Sequence, residues 1–321
     1  MKTYLIPELE KNVVPSKIAF GEALVALGKQ IPNLVVCDAD LMRAAGTDVF
    51  RKAYPDRHFN FGVAEQNMVA AAAGLAISGK TVFATTFANF ATKRACDQMS
   101  ISVAYNQANV KLCGTYAGLT CEKNGGTHIS VEDVSIMRAM PNVIVVEPAD
   151  PEELAQATRA VAEYEGPVYL RIPKIYYRNL FGKDYTFEIG KAAQLGNGTD
   201  ISLCACGLMT GVAWQAAEEL LGKGISASVF NFSTIKPLDV EAVRRAAATG
   251  AILTVENHSV IGGLGSAIME CLSEYRQNPK IRRLGLQDVF GKTASLDWLL
   301  SHNGLAEEQI VTAAEELLRE E

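Results

Sequence analysis

The sequence of 321 residues contains no long apolar run and no recognisable secretion signal. A helix that spans a bilayer needs about 20 predominantly apolar residues, and no window of the chain reaches that length. Residues 1–7 lack the apolar core and the small-residue cleavage site of a signal peptide. We therefore expect a cytoplasmic protein without a membrane partner.

The chain also lacks an excess of basic residues. It has 30 Lys and Arg against 36 Asp and Glu, and the formal charge of −6 is spread along the sequence. A nucleic-acid partner or an anionic membrane would require a concentrated basic patch, so both are excluded. The sequence has neither internal repeats nor low-complexity segments, which excludes a solenoid and a disordered tail.

Most of the seven cysteines lie in apolar segments, as Cys204 and Cys206 do in Leu203-Cys204-Ala205-Cys206. Cysteines in such segments behave as small hydrophobic residues. Buried, reduced thiols are the expected state, as in other intracellular chains.

Length and hydrophobic content predict two domains, because 321 residues with 49% hydrophobic content exceed one ordinary compact domain. Short β-branched segments alternate with longer helical patterns, which is typical of a doubly wound α/β fold. The first half has predicted strands at 34–37, 81–84, 110–113, 143–146 and 168–171, and predicted helices at 17–27, 66–77, 93–104, 131–140 and 151–163.

A second alternating series follows a stretch from Tyr176 to Gly198 that is rich in glycine, charge and aromatic residues and is the predicted linker. Its predicted strands are 201–206, 227–232, 251–256 and 281–284, and its predicted helices are 211–222, 240–247, 264–275, 296–301 and 307–319. We therefore predict two consecutive three-layer α/β/α domains. The first is residues 1–182, with the start of the linker, and the second is residues 183–321.

Polar and glycine residues gather directly after the predicted strands of the first half, at 38–40, 85–90, 115–128 and 147–150. Open α/β sheets bind ligands at the carboxyl ends of their strands, so we place the site at this edge. The connection Tyr116–His128 is long for a loop between a strand and a helix, and such length usually marks function.

One acidic residue, Glu65, follows a glycine turn and begins a helix of small residues that continues through 69–77. A carboxylate in such an apolar setting tends to hold a proton or to share one with a ligand nitrogen. A carboxylate that only stabilises the helix N-terminus is the alternative.

Six motifs of the first half occur in the order and spacing seen in transketolases and deoxyxylulose-phosphate synthases, and two motifs of the second half agree. They are Gly62-Val63-Ala64-Glu65-Gln66, Thr86-Phe87-Ala88-Asn89-Phe90, Gly125-Gly126-Thr127-His128 with Glu132-Asp133, Met140-Pro141-Asn142, Pro148-Ala149-Asp150, Leu170-Arg171-Ile172-Pro173, Glu256-Asn257-His258 and Ile261-Gly262-Gly263-Leu264-Gly265. Over nearly its whole length the chain resembles the pyrimidine-binding domain of these enzymes followed by their C-terminal domain.

The resemblance implies thiamine diphosphate as cofactor, and it also implies a partner chain. In this family a separate domain binds the divalent metal, Mg²⁺ or Ca²⁺, through a Gly-Asp-Gly motif and a later Asn, and the sequence has no Gly-Asp-Gly. The chain therefore resembles the C-terminal subunit of a split transketolase and is expected to contribute no metal ligand. The implied partner is a somewhat shorter diphosphate-binding subunit, in a heterotetramer of two plus two.

By this resemblance, Glu65 hydrogen-bonds N1′ of the aminopyrimidine and stabilises the tautomer whose 4′-imino nitrogen removes the thiazolium C2 proton, which forms the ylid. Phe90 and Phe87 match the aromatic residues that line the pyrimidine, although two Phe residues three apart also fit a buried core face. Asp40 matches an acid of the cofactor pocket, or else it is a helix cap.

Two further residues match the substrate site of the family. His128 matches a histidine that contacts the reacting oxygens and assists proton transfer. Arg171 matches an arginine that binds the terminal anionic group of the sugar. The alternatives are a structural hydrogen bond for His128 and a surface ion pair for Arg171.

Departures from the family pattern cluster at substrate positions. Tyr116 lies in the segment where transketolases have a phosphate-binding histidine, and Asn124 replaces an acid that reads a sugar hydroxyl. A lysine in place of an arginine cannot make the bidentate hydrogen bonds of a guanidinium group, but several cations together can still bind an anion. These cations are Lys17, Arg43, Lys123 and Arg171. The anionic group is left open between a sulfonate and a phosphate on an unusual sugar.

The leading hypothesis is a transketolase subunit that moves a two-carbon ketol unit from a ketose to an aldose phosphate. Within thiamine enzymes, the alternatives are a deoxyxylulose-phosphate-synthase-like subunit and a 2-oxoacid dehydrogenase E1 β-like subunit. A non-catalytic assembly or regulatory subunit is the alternative of another class. The presence of Glu65, Phe90 and His128 favours catalysis.

Overall fold

The computed structural model describes residues 14–174, 178–182, 184–275 and 278–320. Within these ranges the chain forms two open β-sheets with helices packed against them. The predicted fold class, two consecutive α/β/α domains, is confirmed. Tyr176, where the predicted linker begins, and Lys183, where the predicted second domain begins, lie outside the described residues.

The strands of both sheets are short and largely buried, and twelve are found in the described ranges. Those of the first half are β1 (Leu34–Asp38), β2 (His58–Asn60), β3 (Thr81–Phe87), β4 (Val110–Thr115), β5 (Ile144–Val146) and β6 (Val168–Ile172). Those of the second half are β7 (Ala193–Leu195), β8 (Ile201–Ala205), β9 (Ala227–Asn231), β10 (Thr234–Lys236), β11 (Ala251–Ser259) and β12 (Lys280–Leu286).

The first sheet has the order β10-β5-β6-β4-β3-β1-β2, and the second has the order β12-β11-β8-β9-β7. All neighbours are parallel except β10 with β5 and β7 with β9. Parallel strands are covered by helices on both faces, which explains their nearly continuous apolar sequence. In register, Cys37 lies opposite Ala84, Ala84 opposite Leu112, and Leu112 opposite Tyr169. The carboxyl ends of β1, β3, β4 and β6 therefore meet at one edge.

Helices cover both faces of the sheets. They are α1 (Ser16–Gln30), α2 (Met42–Ala45), α3 (Asp48–Ala53), α4 (Glu65–Ile77), α5 (Asp133–Ala139), α6 (Pro151–Glu163), α7 (Met209–Gly222), α8 (Val240–Ala247), α9 (Leu264–Glu274), α10 (Leu296–His302) and α11 (Glu307–Arg319). Leu24 of α1 and Val161 of α6 belong to one core layer, whereas Met68 of α4 belongs to the other. The site helix α4 is thus anchored in the core by its buried face.

Three local features differ from the sequence predictions. The predicted helix 93–104 is instead two π-helical segments, Phe90–Arg94 and Gln98–Tyr105, and single π turns are frequent at functional sites. The strand β7 lies inside the predicted linker. An earlier part of the linker is fixed by Asp150, whose Oδ2 accepts the N–H groups of Leu180 and Phe181 at 2.7 Å each. The strand β10 comes from the second half of the chain but completes the first sheet.

None of the helices in the described part of the chain combines the length and apolar character required to cross a bilayer.

The seven cysteines form no disulfide, and all except Cys96 are buried, so the expectation of buried thiols is confirmed for six. Burial raises the pKa of Cys37 to about 12, which keeps that thiol protonated.

Candidate active site

The polar residues expected at the site lie where four neighbouring parallel strands end. The strand β1 leads into Asp38–Asp40, β3 into Phe87–Phe90, β4 into the segment Tyr116–His128, and β6 into Pro173 and Lys174. We call residues 116–128 the 116–128 loop. The carboxyl edge of such a sheet is the position at which open α/β folds bind ligands.

Glu65 is the first residue of α4, and its side chain is only 1% exposed. Its Oε1 accepts a hydrogen bond from Arg94 Nη1 at 2.9 Å. Its Oε2 is buried and has no hydrogen-bond partner among the residues that the structure describes. A buried polar atom without a partner is costly and calls for a ligand, so this oxygen marks a binding position.

Four side chains form an aromatic cluster beside this helix start. The Phe87 ring stacks on Phe90 at 5.8 Å and lies 4.5 Å from the ring of Tyr116. His128 meets Phe90 edge-on at 5.1 Å. Arg94, which pairs with Glu65, lies over the Phe90 ring, with its guanidinium carbon 4.2 Å from the ring centre. Contacts therefore run continuously from the Glu65 carboxylate to the His128 imidazole.

His128 is held at the end of the 116–128 loop by its neighbour Thr127. The Thr127 hydroxyl lies 2.9 Å from His128 Nδ1, and the Thr127 carbonyl accepts a hydrogen bond from Asn89 Nδ2 at 2.6 Å. Asn89 was quoted in a sequence motif but not as a site residue. It fixes the backbone on which the imidazole is carried.

A cavity of about 470 Å³ opens next to the aromatic cluster. It brings together five residues that the sequence predicts for the site and three that it does not. The lining residues are Phe87, Tyr116, Cys121, Glu122, Lys123, Asn124, His128 and Lys174. A second cavity of about 480 Å³ lies at the opposite edge of the sheet, where no predicted site residue is found. Chemistry therefore favours the cavity at the carboxyl edge.

Lys174 is the cation of the site that sequence reasoning missed. It follows Pro173 just past the end of β6, and its Nζ donates to Glu122 Oε2 at 2.5 Å. This hydrogen bond raises the pKa of Lys174, so the group is cationic at neutral pH. Its position beyond a strand that ends at the site edge is the signal by which it could have been found.

Arg171 does not line the cavity, and the expectation that it binds the terminal anion is not supported by its placement. It lies within β6 with 0% exposure, and Nε donates to Asp133 at 2.6 Å and Nη1 to Glu147 at 2.6 Å. Its Nη2 donates to the carbonyl oxygen of Asn257 at 3.0 Å. All three guanidinium nitrogens are thus engaged in a buried network between the two domains.

The same network sets the charge of Asp133. Burial opposes ionisation of this carboxyl, but the charge and hydrogen bonds of Arg171 prevail and hold its pKa below the ordinary value. The surface ion pair that was the alternative for Arg171 is also wrong, because both residues are fully buried.

Asp40 is exposed and lies at the edge of the site. Its backbone N–H donates to Asn60 Oδ1 at 3.1 Å, and the same oxygen accepts the N–H of Gly62 at 2.9 Å. Asp40 is therefore tied to the turn that precedes Glu65. Asp40 does not cap α2, which has no side-chain cap; the carboxylate that accepts a backbone N–H just before this helix is that of Asp38, whose Oδ1 accepts the N–H of Leu41 at 2.7 Å.

Lys17 and Arg43 are exposed residues of α1 and α2, and neither lines the cavity. The two helices are close, because a Cβ atom at Gly46 would collide with the carbonyl of Lys17. The Ser16 hydroxyl donates to the carbonyl oxygens of Pro173 and Lys174 at 2.5 and 2.8 Å. The start of α1 is thus near Lys174, but the four cations expected to act together lie in three places: on α1 and α2, at the cavity, and in the buried network of Arg171.

Comparisons with known proteins agree with this geometry. The family model described as "Transketolase, pyrimidine binding domain" matches residues 14–179, and "Transketolase, C-terminal domain" matches residues 190–310. The chain is 44% identical over 306 residues to a putative transketolase C-terminal section of Methanocaldococcus jannaschii, with 94% of this chain and 96% of that protein covered.

A subunit of a 6-deoxy-6-sulfo-D-fructose transketolase from Clostridium sp. is 45% identical over 299 residues, which cover 93% of this chain and 92% of that protein. Among solved structures, a split gene transketolase described as an inactive β4 tetramer superposes with a TM-score of 0.87 at 41% identity, covering 96% of this chain and 99% of that one. Two domain matches in the expected order, together with relatives matched over nearly their full length, show that the chain belongs to the transketolase family.

Proposed function

We propose that this chain is the C-terminal subunit of a two-subunit transketolase that transfers a two-carbon ketol unit from an anionic ketose to an aldose phosphate. The observation that carries the proposal is the buried Oε2 of Glu65, which lacks a donor among the described residues. A protonated ring nitrogen satisfies such an oxygen, and the aminopyrimidine of thiamine diphosphate offers one. The residues present therefore fit the cofactor that the family implies.

When bound, thiamine diphosphate supplies the nucleophilic carbon that accepts and passes on the two-carbon unit. Oε2 of Glu65 would accept the hydrogen bond of that ring nitrogen, while Arg94 fixes Oε1 and so orients the carboxylate. Phe90 and Phe87 present apolar surface to the pyrimidine and exclude water. His128, in edge contact with Phe90, exchanges protons with the oxygens of the substrate. Asp40 borders the cofactor side of the site through its link to Asn60.

Substrate recognition is assigned to the cavity beside the aromatic cluster. Lys123 and Lys174 supply the cationic wall, and Tyr116 and Asn124 supply polar groups for sugar hydroxyls. Ammonium groups act as point charges without the fork geometry of arginine, so they suit a terminal phosphate or a terminal sulfonate alike. The relative from Clostridium, which by its name acts on a sulfosugar, supports including sulfonates among the donors.

The other half of the cofactor site is proposed to lie on a partner subunit that binds the diphosphate through Mg²⁺ or Ca²⁺. Relatives matched over 96% and 92% of their own length are named a C-terminal section and a subunit. The solved relative is inactive as a β4 tetramer. Both facts support a requirement for a second chain, and a heterotetramer of two plus two remains our prediction. A cytoplasmic location also remains a prediction.

The proposal is tested with the chain purified from its native cells together with the subunit that co-purifies. Ketoses that end in phosphate, sulfonate or an uncharged group are assayed as donors with an aldose phosphate as acceptor. Turnover of a 2-oxoacid and of no ketose would favour the synthase-like or dehydrogenase-like alternative. Absence of any turnover at saturating cofactor would favour the assembly subunit.

In the same complex, Glu65→Gln keeps the shape of the side chain but removes its charge. We expect kcat to fall by about 10²-fold or more, as is typical for a proton-transfer group. The matched control is Glu219→Gln, because Glu219 forms only an exposed i,i+4 pair with Lys223. A Glu65→Gln complex with the kcat of the control would refute the proposed role.

A further inference from the structure

We propose that the second domain positions the 116–128 loop and that Asn257 is the positioning residue through which it does so. The proposal rests on the function proposed above, because this loop carries Asn124 and His128.

Asn257 lies in β11 of the second domain with 0% exposure, and its side chain faces the start of the loop. Its Oδ1 accepts the N–H of Leu119 at 2.8 Å, and its Nδ2 donates to the carbonyl of Ala117 at 3.4 Å. Gly118 lies between these two residues with a φ of +58°, and a Cβ atom there would overlap the Asn257 side chain. The amide therefore replaces the backbone partners that an irregular loop lacks.

The same strand also holds the chain just after the loop. The N–H of Ser259, two residues beyond Asn257, donates to the carbonyl of Val131 at 2.8 Å. Between Asn257 and Ser259, the strand β11 thus contacts both ends of the segment that carries His128. Arg171 also links this segment to β11, because its Nη2 donates both to the carbonyl of Ser130, after the loop, and to the carbonyl of Asn257.

The middle of the loop is backed by residues 287–295, which connect β12 with α10. A Cβ atom at Gly126 would lie 2.5 Å from the carbonyl oxygen of Gly291, so the two backbones are in close contact. The N–H of Leu296 donates to Glu122 Oε1 at 3.3 Å, and Oε2 of the same carboxylate binds Lys174. The second domain is thereby connected to the cationic wall of the cavity.

Asn257 is the point at which this connection can be changed without altering the backbone. Its side-chain amide offers the acceptor for Leu119 and the donor for Ala117 at once. Asn257→Asp keeps the acceptor and loses the donor, and Asn257→Leu loses both at a similar volume. Thr254→Val is the matched control, because Thr254 lies buried on the same strand and its hydroxyl has no partner in the described structure.

The first readout is trypsin cleavage after Lys123, an exposed residue of the loop, in the isolated chain. Cleavage after the exposed Lys52 serves as the reference for global unfolding. The measured quantity is the rate of cleavage after Lys123 relative to the rate after Lys52. Because Asn257→Leu loses both hydrogen bonds, this relative rate is expected to rise about tenfold. The rise should be smaller in Asn257→Asp, and Thr254→Val should show none. Equal rates in all variants, or an equal rise at both lysines, would overturn the proposal.

The second readout uses the complex with the partner subunit. We expect Asn257→Asp to raise KM for the ketose and to lower kcat, with the dissociation constant of thiamine diphosphate unchanged, because Glu65 and Arg94 are not touched. A wild-type complex without ketol transfer would refute the proposed function, whereas the proteolysis result would still decide on the positioning of the loop. Unchanged KM and kcat in an active complex would overturn the role of Asn257.

Discussion

The central residue of the site is Glu65, whose two carboxylate oxygens have different surroundings. Arg94 occupies Oε1, and Oε2 is buried without a partner among the described residues. The sequence predicted the carboxylate at the start of α4 but not its ion pair with Arg94. That pair depends on the π-helical turn Phe90–Arg94, which brings the guanidinium over the Phe90 ring.

At the residue scale, Lys174 is expected to recognise the anionic end of the donor. Lys174→Met removes one charged hydrogen bond, so KM should rise about 10- to 100-fold for donors ending in phosphate or sulfonate. KM for an uncharged ketose should stay the same, and kinetics of the complex with both donors measure this difference. Lys223→Met, at an exposed pair, is the control. An equal rise in KM for both donors would contradict the assignment.

Arg171 is expected to act on stability instead. Arg171→Met leaves the carboxylates of Asp133 and Glu147 buried without their cation, and breaking such a network typically costs about 3–5 kcal/mol. Urea unfolding of the isolated chain measures this loss. Arg319→Met, which breaks an exposed i,i+4 pair with Glu315, should change the free energy of unfolding by about 0.5 kcal/mol or less. An altered KM with unchanged stability would restore the substrate role.

These residues show what the sequence could reveal about the site. Phe87, Tyr116, Asn124 and His128 follow parallel strands, and the common edge of those strands brings them to one cavity. Arg171 was assigned from a motif, although it lies inside β6 and not beyond it. Whether a residue lies before or after the end of a strand decides its surroundings, and strand ends are the least certain part of a sequence prediction.

At the element scale, the start of α9 depends on a buried carboxyl group. Glu256 accepts the N–H groups of Leu264 and Gly265 at 2.7 and 3.0 Å. Burial raises its pKa to about 7 from 4.5, although these two hydrogen bonds act in the opposite direction. Between those pH values the folded chain binds more protons at this site than the unfolded chain, so the free energy of unfolding falls as pH rises.

Glu256→Gln removes this titration. The free energy of unfolding of the wild type should therefore fall relative to that of the variant as pH rises from about 4.5 to about 7. Below and above that window the difference between the two should stay constant. Urea unfolding of the isolated chains at a series of pH values measures it. A difference that does not change with pH would contradict the assignment.

Secondary-structure elements in which polar and apolar residues repeat at a clear period were predictable from the sequence. Elements that form only through contacts with residues far away in sequence were not. The bounds of α6 and α8 agree with the prediction, because their polar and apolar residues repeat at helical spacing and an Asp caps each N-terminus. The sequence predicts an ordinary helix over 93–104, since a π turn changes no residue pattern. The strand β10 has three residues and exists through its pairing with β5, which lies far away in sequence.

On the scale of the whole molecule, two α/β domains were predicted from the alternation of strands and helices. Their contacts were not predicted, because they join residues more than a hundred positions apart. The Asn257 amide and the carbonyl of Ala117 are one such pair, and Arg138 with the carbonyl of Gly262 is another. Burial of Arg171 between the domains is the clearest consequence of this long-range packing.

We propose that the molecule as described carries the pyrimidine side of a thiamine site. Glu65 and Phe90 suit the ring, whereas no cluster of His, Cys, Asp and Glu within the described ranges is arranged to hold a metal ion. In our proposal a second chain binds the diphosphate and its metal, and Glu65 acts across an interface between subunits.

The most direct test of this account is a titration of the isolated chain with the diphosphate-binding subunit at saturating thiamine diphosphate and Mg²⁺, with ketol transfer as the measured rate. We predict no transfer by either chain alone and a rise that saturates at one partner per chain. Full activity of this chain without a partner, or no response to the partner at any ratio, would contradict the split-subunit account.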